Sequence, residues 1–61
     1  MTGNHACLTP RELADRWKVS SRTLERWRAD PYGPAWITVG GSIRYRMTDV
    51  LVWEAAHLTR P

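Results

Sequence analysis

Two helix-start signals constrain the fold of this chain more than any other feature of its sequence. In the first, LTPREL, Thr9 is an N-cap residue and Glu12 follows it by three positions, which completes a capping box. The second signal is Ser20, and the short distance between the two leaves room for one short helix and a tight turn. The sequence therefore predicts a helix from Pro10 to Trp17 and a second helix from Ser21 to Ala29.

The predicted second helix is apolar on one side and basic on the other. Leu24 and Trp27, three residues apart, form its core stripe. Arg22 and Arg26, four residues apart, lie on the opposite face with Glu25 between them. Two short helices joined by a tight turn, with a basic outer face on the second, are the pattern of a helix-turn-helix.

A β-hairpin is predicted after the helices. The prolines and the glycine of DPYGP, residues 30–34, end the helical pattern. After them WITV is rich in β-forming residues, GGS is a turn, and IRYR alternates apolar with basic residues. The chain is thus expected to be mainly helical, with one two-stranded ribbon.

The register of this hairpin depends on which side chains face the core. The four apolar side chains expected there are Ile37, Val39, Ile43 and Tyr45. Because residues that pair directly share a face, Val39 would lie opposite Ile43, across a three-residue connection at residues 40–42 that includes a glycine at positive φ. The side chains that this register turns outward are Thr38, Arg44 and Arg46.

A third helix is predicted within TDVLVWEAAHL, with Thr48 as its N-cap. Val50 and Trp53 form its core stripe. Leu51 and Val52 are then surplus apolar residues, at least partly outside the core.

Large aromatic side chains are expected to carry much of the burial in so short a chain, which has four tryptophans and no phenylalanine. The aromatic residues assigned to the core are Trp17, Trp27, Tyr45 and Trp53. Arg16 and Glu54, by contrast, are expected at solvated positions.

The composition of the chain excludes several classes of protein function and favours others. Nine Lys and Arg residues against six Asp and Glu give a net charge of +3, and eight of the nine are arginine, which suits bidentate contacts with phosphate and guanine. The lone Cys7 excludes an internal disulfide and fits a reducing compartment. No apolar run reaches the roughly 18 residues of a membrane span. No nucleophile-and-base pair, phosphate loop or metal-ligand cluster is present, so we expect no enzyme, cofactor or metal.

These observations predict a single cytoplasmic domain, residues 1–61, that takes no small-molecule substrate and does not bind a membrane. Residues 1–7 and 59–61 are expected to be flexible. An adaptor that binds other proteins through the last helix is an alternative, in which the arginines would serve only solubility.

The order of the motifs carries a resemblance over about Leu8 to Leu58. LTPRELADRWKVSSRTLERWR, a Gly/Pro break and ITVGGSIRYRMTDVLVW follow one another, and this order resembles the small winged-helix excisionases and prophage regulators of the MerR superfamily. The resemblance implies an α+β, mainly α fold: a winged helix-turn-helix with a two-stranded wing and a closing C-terminal helix. It places a recognition helix, Ser20 to Arg28, in the major groove and the wing, Ile37 to Arg46, in the adjacent minor groove.

The resemblance also implies a function and partners. Excisionases bind next to one another on double-stranded DNA, bend it, and steer an integrase toward excision. The partners implied are therefore double-stranded DNA, neighbouring copies of the chain and an integrase. A transcriptional regulator that uses the same DNA-binding fold is the alternative.

The predicted major-groove residues share the recognition helix; they are Ser20, Ser21, Arg22, Thr23, Glu25, Arg26 and Arg28. Arg22 is the best candidate for a bidentate contact to guanine, and Arg26 either does the same or binds a phosphate. Glu25 either accepts a hydrogen bond from cytosine or orients a neighbouring arginine. Ser20 either only caps the helix or also anchors a phosphate.

The predicted wing residues are Thr38, Gly40, Gly41, Ser42, Arg44 and Arg46. A glycine tip allows close approach to the narrow, electronegative minor groove, and Arg44 is the cation expected to enter it or to bind phosphate. Arg46 alternatively pairs with Asp49, and the wing as a whole alternatively serves only to cover the core. Leu51 and Val52 are the candidate contact for a protein partner.

Overall fold

The computed structural model of the protein describes residues 7–57. The six elements in chain order are β1 (Cys7–Leu8), α1 (Pro10–Trp17), α2 (Ser21–Ala29), β2 (Ile37–Val39), β3 (Ser42–Arg46) and α3 (Met47–Ala56). This order is a mainly helical winged helix-turn-helix, as predicted. The segments predicted to be flexible, 1–7 and 59–61, lie outside the described residues except for Cys7, which belongs to β1.

The caps of the first two helices form as the sequence predicts. The Thr9 hydroxyl accepts a hydrogen bond from the Glu12 amide at 3.1 Å, and the Glu12 carboxylate accepts one from the Thr9 amide at 2.8 Å. At the start of α2 the Ser20 hydroxyl accepts from the Thr23 amide at 3.1 Å. These bonds satisfy amides that a helix start leaves without partners, and so they fix where each helix begins.

The turn between α1 and α2 is a Schellman motif. Lys18 takes the left-handed conformation, with φ at 57°. The Val19 amide donates to the Ala14 carbonyl at 3.0 Å, and the Lys18 amide donates to the Asp15 carbonyl at 3.3 Å. This pair of bonds ends α1 abruptly and turns the chain within two residues into the cap of α2.

The break after α2 depends on one glycine. Gly33 has φ at +95°, a conformation that side chains other than glycine rarely adopt. A Cβ at this position would also lie 2.8 Å from Cε3 of Trp27. The missing side chain thus lets the break pack directly on α2 and places Tyr32 edge-on against the Trp27 ring, with centroids 5.0 Å apart.

The predicted hairpin register is wrong. The paired residues are Ile37 with Arg44, Thr38 with Ile43 and Val39 with Ser42. The connection is therefore the two-residue turn Gly40-Gly41, and Ser42 belongs to β3 rather than to the turn. Both glycines have positive φ, 56° and 84°, as a type I′ turn requires. This turn matches the natural twist of the strands, so the local turn chemistry decides the register over the apolar pattern.

The observed register redistributes side chains between the two faces of the ribbon. Thr38 shares a face with Ile43, so it does not point the same way as Arg44 and Arg46, contrary to the prediction. Val39 was assigned to the core but is 54% exposed. Ile37 lies on the face of Arg44 and is half-buried. The core therefore receives Ile43 and Tyr45 from the ribbon.

A third strand, which the sequence reading missed, completes the sheet. β1 pairs antiparallel with β3, with Cys7 opposite Arg46 and Leu8 opposite Tyr45, so β3 is the central strand in the order β1-β3-β2. Leu8 packs against the core cluster. A strand of two residues has no alternating pattern long enough to be recognised, which explains the omission.

The core is small and draws on all three helices and the sheet. Its buried members are Leu13, Ala14, Leu24, Tyr45 and Val50. Tyr45 is 1% exposed, as predicted. The three tryptophans assigned to the core are only half-buried. They form an aromatic cluster in which the Trp27 ring centroid lies 6.2 Å from that of Trp17 and 6.1 Å from that of Trp53.

The third helix starts earlier than predicted. Arg46, not Thr48, occupies the N-cap position, and it makes no side-chain capping bond. β3 runs directly into α3 without a loop, so the helix begins where the strand ends. The junction is held by the ion pair between Arg46 Nε and Asp49 Oδ2 at 2.8 Å, the pairing that the sequence offered as an alternative. None of the helices within residues 7–57 is long or apolar enough to cross a membrane.

Candidate nucleic-acid interface

The outer face of α2 presents two arginines to solvent. Arg22 and Arg26 are exposed, whereas Leu24 on the opposite side of the helix is fully buried. Glu25 is exposed beside them and makes no ion pair among residues 7–57. Arg22 and Arg26 likewise have no acidic partner in the described part of the chain, so this outer face carries two positive charges and one negative charge, and its guanidinium groups can make bidentate bonds.

The start of α2 is occupied by capping bonds. The Ser20 hydroxyl is 3.0 Å from the Thr23 hydroxyl as well as accepting from the Thr23 amide. Ser20 thus has a capping role, and Thr23 is half-buried against it. Ser21 is exposed at the first turn of the helix. Ser21 thus lies at a helix start, where backbone amides and the helix dipole favour an anion.

Arg28 differs from the other arginines of α2. It is half-buried, and its Nη1 donates a 2.7 Å hydrogen bond to the hydroxyl of Tyr45. Its guanidinium carbon lies 6.0 Å from the centre of the Tyr45 ring, at the limit of a cation–π contact. The side chain that the sequence grouped with the major-groove residues therefore points toward the sheet.

The turn of the wing is exposed, whereas the arginine on its second strand is half-buried and hydrogen-bonded. Gly40, Gly41 and Ser42 are exposed, and a Cβ at either glycine would meet no atom within 4 Å. Arg44 is half-buried, and its Nη1 donates a 2.7 Å hydrogen bond to the backbone carbonyl of Ile43. Arg44 has no acidic partner among the described residues, so its positive charge is not neutralised.

A clamp between α1 and α3 is the main feature that the sequence reading missed. Arg16 donates to both carboxylate oxygens of Glu54, at 2.7 and 2.9 Å, and the Trp17 indole donates to the same carboxylate at 2.6 Å. Arg16 is exposed, as expected, and Glu54 is half-buried, but the sequence did not predict that the two side chains pair. The bonds from Arg16 and then Trp17 lower the pKa of the Glu54 carboxyl to about 2.

The two ion pairs leave the charge on the proposed DNA side unbalanced. Within residues 7–57, Glu54 and Asp49 are paired with arginines away from α2. Four arginines of α2 and the wing have no acidic partner in that range: Arg22, Arg26, Arg28 and Arg44. The described residues enclose no cavity and bring no three metal-ligating side chains together.

A comparison with protein families decides the class to which this arrangement belongs. The family described as "Helix-turn-helix domain" matches residues 7–57, the whole described part of the chain. The chain belongs to the helix-turn-helix domain family. As a member of the helix-turn-helix domain family it is a small DNA-binding protein, and the match spans the wing and α3 as well as the two helices. Comparison with curated proteins and with solved structures gives no match.

Proposed function

We propose that the protein is an excisionase: it binds and bends attachment-site DNA and directs the integrase of a phage or mobile element toward excision. The helix-turn-helix domain family includes excisionase-like proteins. The sequence resemblance, in which VGGSIRYR and DVLVW follow the two helices, supports the same group. The observation that carries the proposal is the pair Arg22 and Arg26 on the outer face of α2, both exposed and without an acidic partner among residues 7–57.

In this proposal α2 occupies the major groove. Arg22, in the first turn of the helix, makes a bidentate contact to a guanine, since the N-terminal part of a recognition helix reaches the base edges. Arg26, one turn later, binds a second base or a phosphate. Ser21 and the amides of the first turn hold the flanking phosphate. The exposed Glu25 selects the adjacent base pair by accepting from cytosine.

The wing extends the contact into the minor groove. Its tip of Gly40 and Gly41 is free of side chains, so the backbone can approach the sugar-phosphate walls closely. Arg44 then leaves the carbonyl of Ile43 for a phosphate or the groove floor, where the negative potential is stronger. Insertion of such a ribbon widens or bends the duplex at a cost that the extra contacts offset.

The exposed side of α3 is proposed as the contact for the integrase. Leu51 and Val52 are 50% and 69% exposed. The two acids of this helix are both occupied, Asp49 by Arg46 and Glu54 by Arg16, so the remaining surface of α3 carries no free acid. An uncharged apolar surface on a protein that otherwise presents arginines is suited to a protein partner rather than to DNA.

The proposal is tested by reconstituted recombination with the cognate integrase. We expect addition of the protein to raise excision and to suppress integration, and footprints on attachment-site DNA to show adjacent protected repeats. DNA binding with no effect on the direction of recombination would overturn the excisionase role and favour a transcriptional regulator. That outcome would leave the DNA-binding class intact.

Variants of α3 and of α2 separate the proposed partner contact from the proposed DNA contact. Val52→Gln removes an exposed apolar side chain from α3, and we expect it to retain DNA affinity but to lose stimulation of excision. Arg26→Ala instead removes a proposed DNA contact from α2, and we expect it to lose both DNA affinity and stimulation of excision. If Val52→Gln and a Leu51→Gln variant stimulate excision as well as the wild type does, the α3 contact is wrong.

A further inference from the structure

Arg28 and Tyr45 connect the two elements proposed to touch DNA. Arg28 is in the last turn of α2, and Tyr45 is on β3, the strand that forms one side of the wing. Among residues 7–57, the 2.7 Å bond between Arg28 Nη1 and the Tyr45 hydroxyl is the one side-chain hydrogen bond that joins α2 to the sheet. The other side-chain hydrogen bonds between elements in this part of the chain join α1 to α3 and β3 to α3.

The burial of Tyr45 makes this bond a constraint rather than a passing surface contact. Tyr45 is 1% exposed and pairs with Leu8 of β1, so its ring has little freedom to move. A buried hydroxyl needs a partner because burying it without one carries a desolvation penalty. The structure gives it Arg28, whose charge strengthens the bond. Arg28 is itself half-buried, so its guanidinium is held at the sheet.

We propose that Arg28 is a positioning residue, which acts through Tyr45 to fix the recognition helix relative to the wing. This inference rests on the proposed function, because it requires both α2 and the wing to contact one duplex. A protein that reads two grooves loses affinity when its two contacts are held at the wrong separation. In this account Arg28 does not bind phosphate itself, although it is an arginine of the same recognition helix as Arg22 and Arg26.

Tyr45→Phe tests the bond without changing charge, since it removes only the hydroxyl. The probe is a duplex selected from a random-sequence pool by the wild-type protein, and binding is measured over a range of salt concentrations. We expect Tyr45→Phe and Arg28→Met each to weaken binding by roughly three- to tenfold, the size of an ordinary coupling between contacting residues. We expect the double variant to be no weaker than Arg28→Met alone, and the salt slope to stay at the wild-type value in all three.

A second readout separates positioning from a loss of folded protein. In an Arg44→Ala background, in which the wing contact is already removed, Tyr45→Phe is expected to weaken binding no further. Circular dichroism under the binding conditions verifies that each variant is folded. Tyr32→Phe is the matched control, because Tyr32 is an exposed tyrosine whose hydroxyl makes no bond among the described residues, and it should bind as the wild type does.

The results that would overturn the positioning role can be told apart from one another and from failure of the proposed function. If Arg28→Met lowers the salt slope by about 0.9 while Tyr45→Phe binds normally, Arg28 contacts a phosphate and the positioning role is wrong. If Tyr45→Phe weakens binding equally with and without Arg44, the bond only supports the fold, and the proposal is overturned as well. Absence of DNA binding by the wild-type protein would overturn the proposed function together with this inference.

Discussion

At the scale of single residues, helical position decides the environment of the charged side chains more than their chemical type does. Arg28 follows the buried Leu24 by four positions, and Glu54 follows the buried Val50 by four. Both therefore lie on the core side of their helices, where each finds a hydrogen-bond partner. The spacing is present in the sequence, but Arg28 was predicted to be a DNA contact and Glu54 a solvated residue.

Glu54 is expected to make the stability of the protein sensitive to acid. Its pKa is about 2 in the folded protein against an ordinary value of 4.5, so the folded state binds the proton less readily than the unfolded chain does. The stability from this carboxylate is fully present above about pH 4.5 and is lost as the pH falls toward 2. Glu54→Gln should lower the free energy of unfolding at pH 7 by about 0.5–1.5 kcal/mol.

Urea unfolding at several pH values checks this prediction. The difference between wild type and Glu54→Gln should close as the pH falls from about 5 to about 2. Asp15→Asn is the control, since Asp15 is exposed and makes no ion pair within residues 7–57, and its difference from wild type should be small throughout. A Glu54→Gln difference that is the same at both ends of the pH range would contradict the clamp.

Arg22 and Arg26 are predicted to have separable effects on DNA recognition. Arg22→Ala should weaken binding to the selected duplex by about 1–3 kcal/mol and relax the preference at one base position, because it removes a base contact. Selection from a random-sequence pool, repeated with each variant, measures the preference. A phosphate contact at Arg26 would instead weaken all sequences alike. If Arg22→Ala leaves the selected sequence unchanged, Arg22 does not read a base.

At the scale of elements, the helix starts marked by capping side chains were predictable, whereas the pairing of the strands was not. The capping bonds of Thr9 and Ser20 form as the local sequence predicts. The hairpin register failed because alternation of apolar residues assigned Val39 to the core, while two adjacent glycines at positive φ set a tighter turn. β1 escaped prediction because its two residues are defined only by their partners in β3.

The two turn glycines predict an asymmetric response to substitution. Gly41→Val should lower the free energy of unfolding by about 1–3 kcal/mol, since a β-branched residue at positive φ is strained. Gly40→Asn should change it by about 0.5 kcal/mol or less, because asparagine is favoured at the first position of a type I′ turn. Chemical denaturation of the two variants gives the comparison. Equal effects would argue against a two-residue turn with both residues at positive φ.

At the scale of the whole molecule, the contacts between elements hold the proposed DNA surface in one arrangement. Glu54 ties α3 to α1, and Arg28 ties α2 to the sheet. Within residues 7–57 the core cluster has five buried members, and so small a core needs such ties, since small domains bury little apolar surface. The order of motifs was sufficient to predict the winged helix-turn-helix. These two ties were not predictable, because each joins residues that are distant in sequence.

The central claim is that α2 and the wing bind duplex DNA through their arginines. It is tested most directly by the salt dependence of affinity for the selected duplex, measured for the wild type and for an Arg22→Ala, Arg44→Ala double variant, with Arg11→Ala on α1 as the control. We expect log affinity to fall linearly with log salt, with a slope near 0.9 per phosphate neutralised, and the double variant alone to bind more weakly. An affinity that does not change with salt, or a double variant that binds as the wild type does, would contradict the claim.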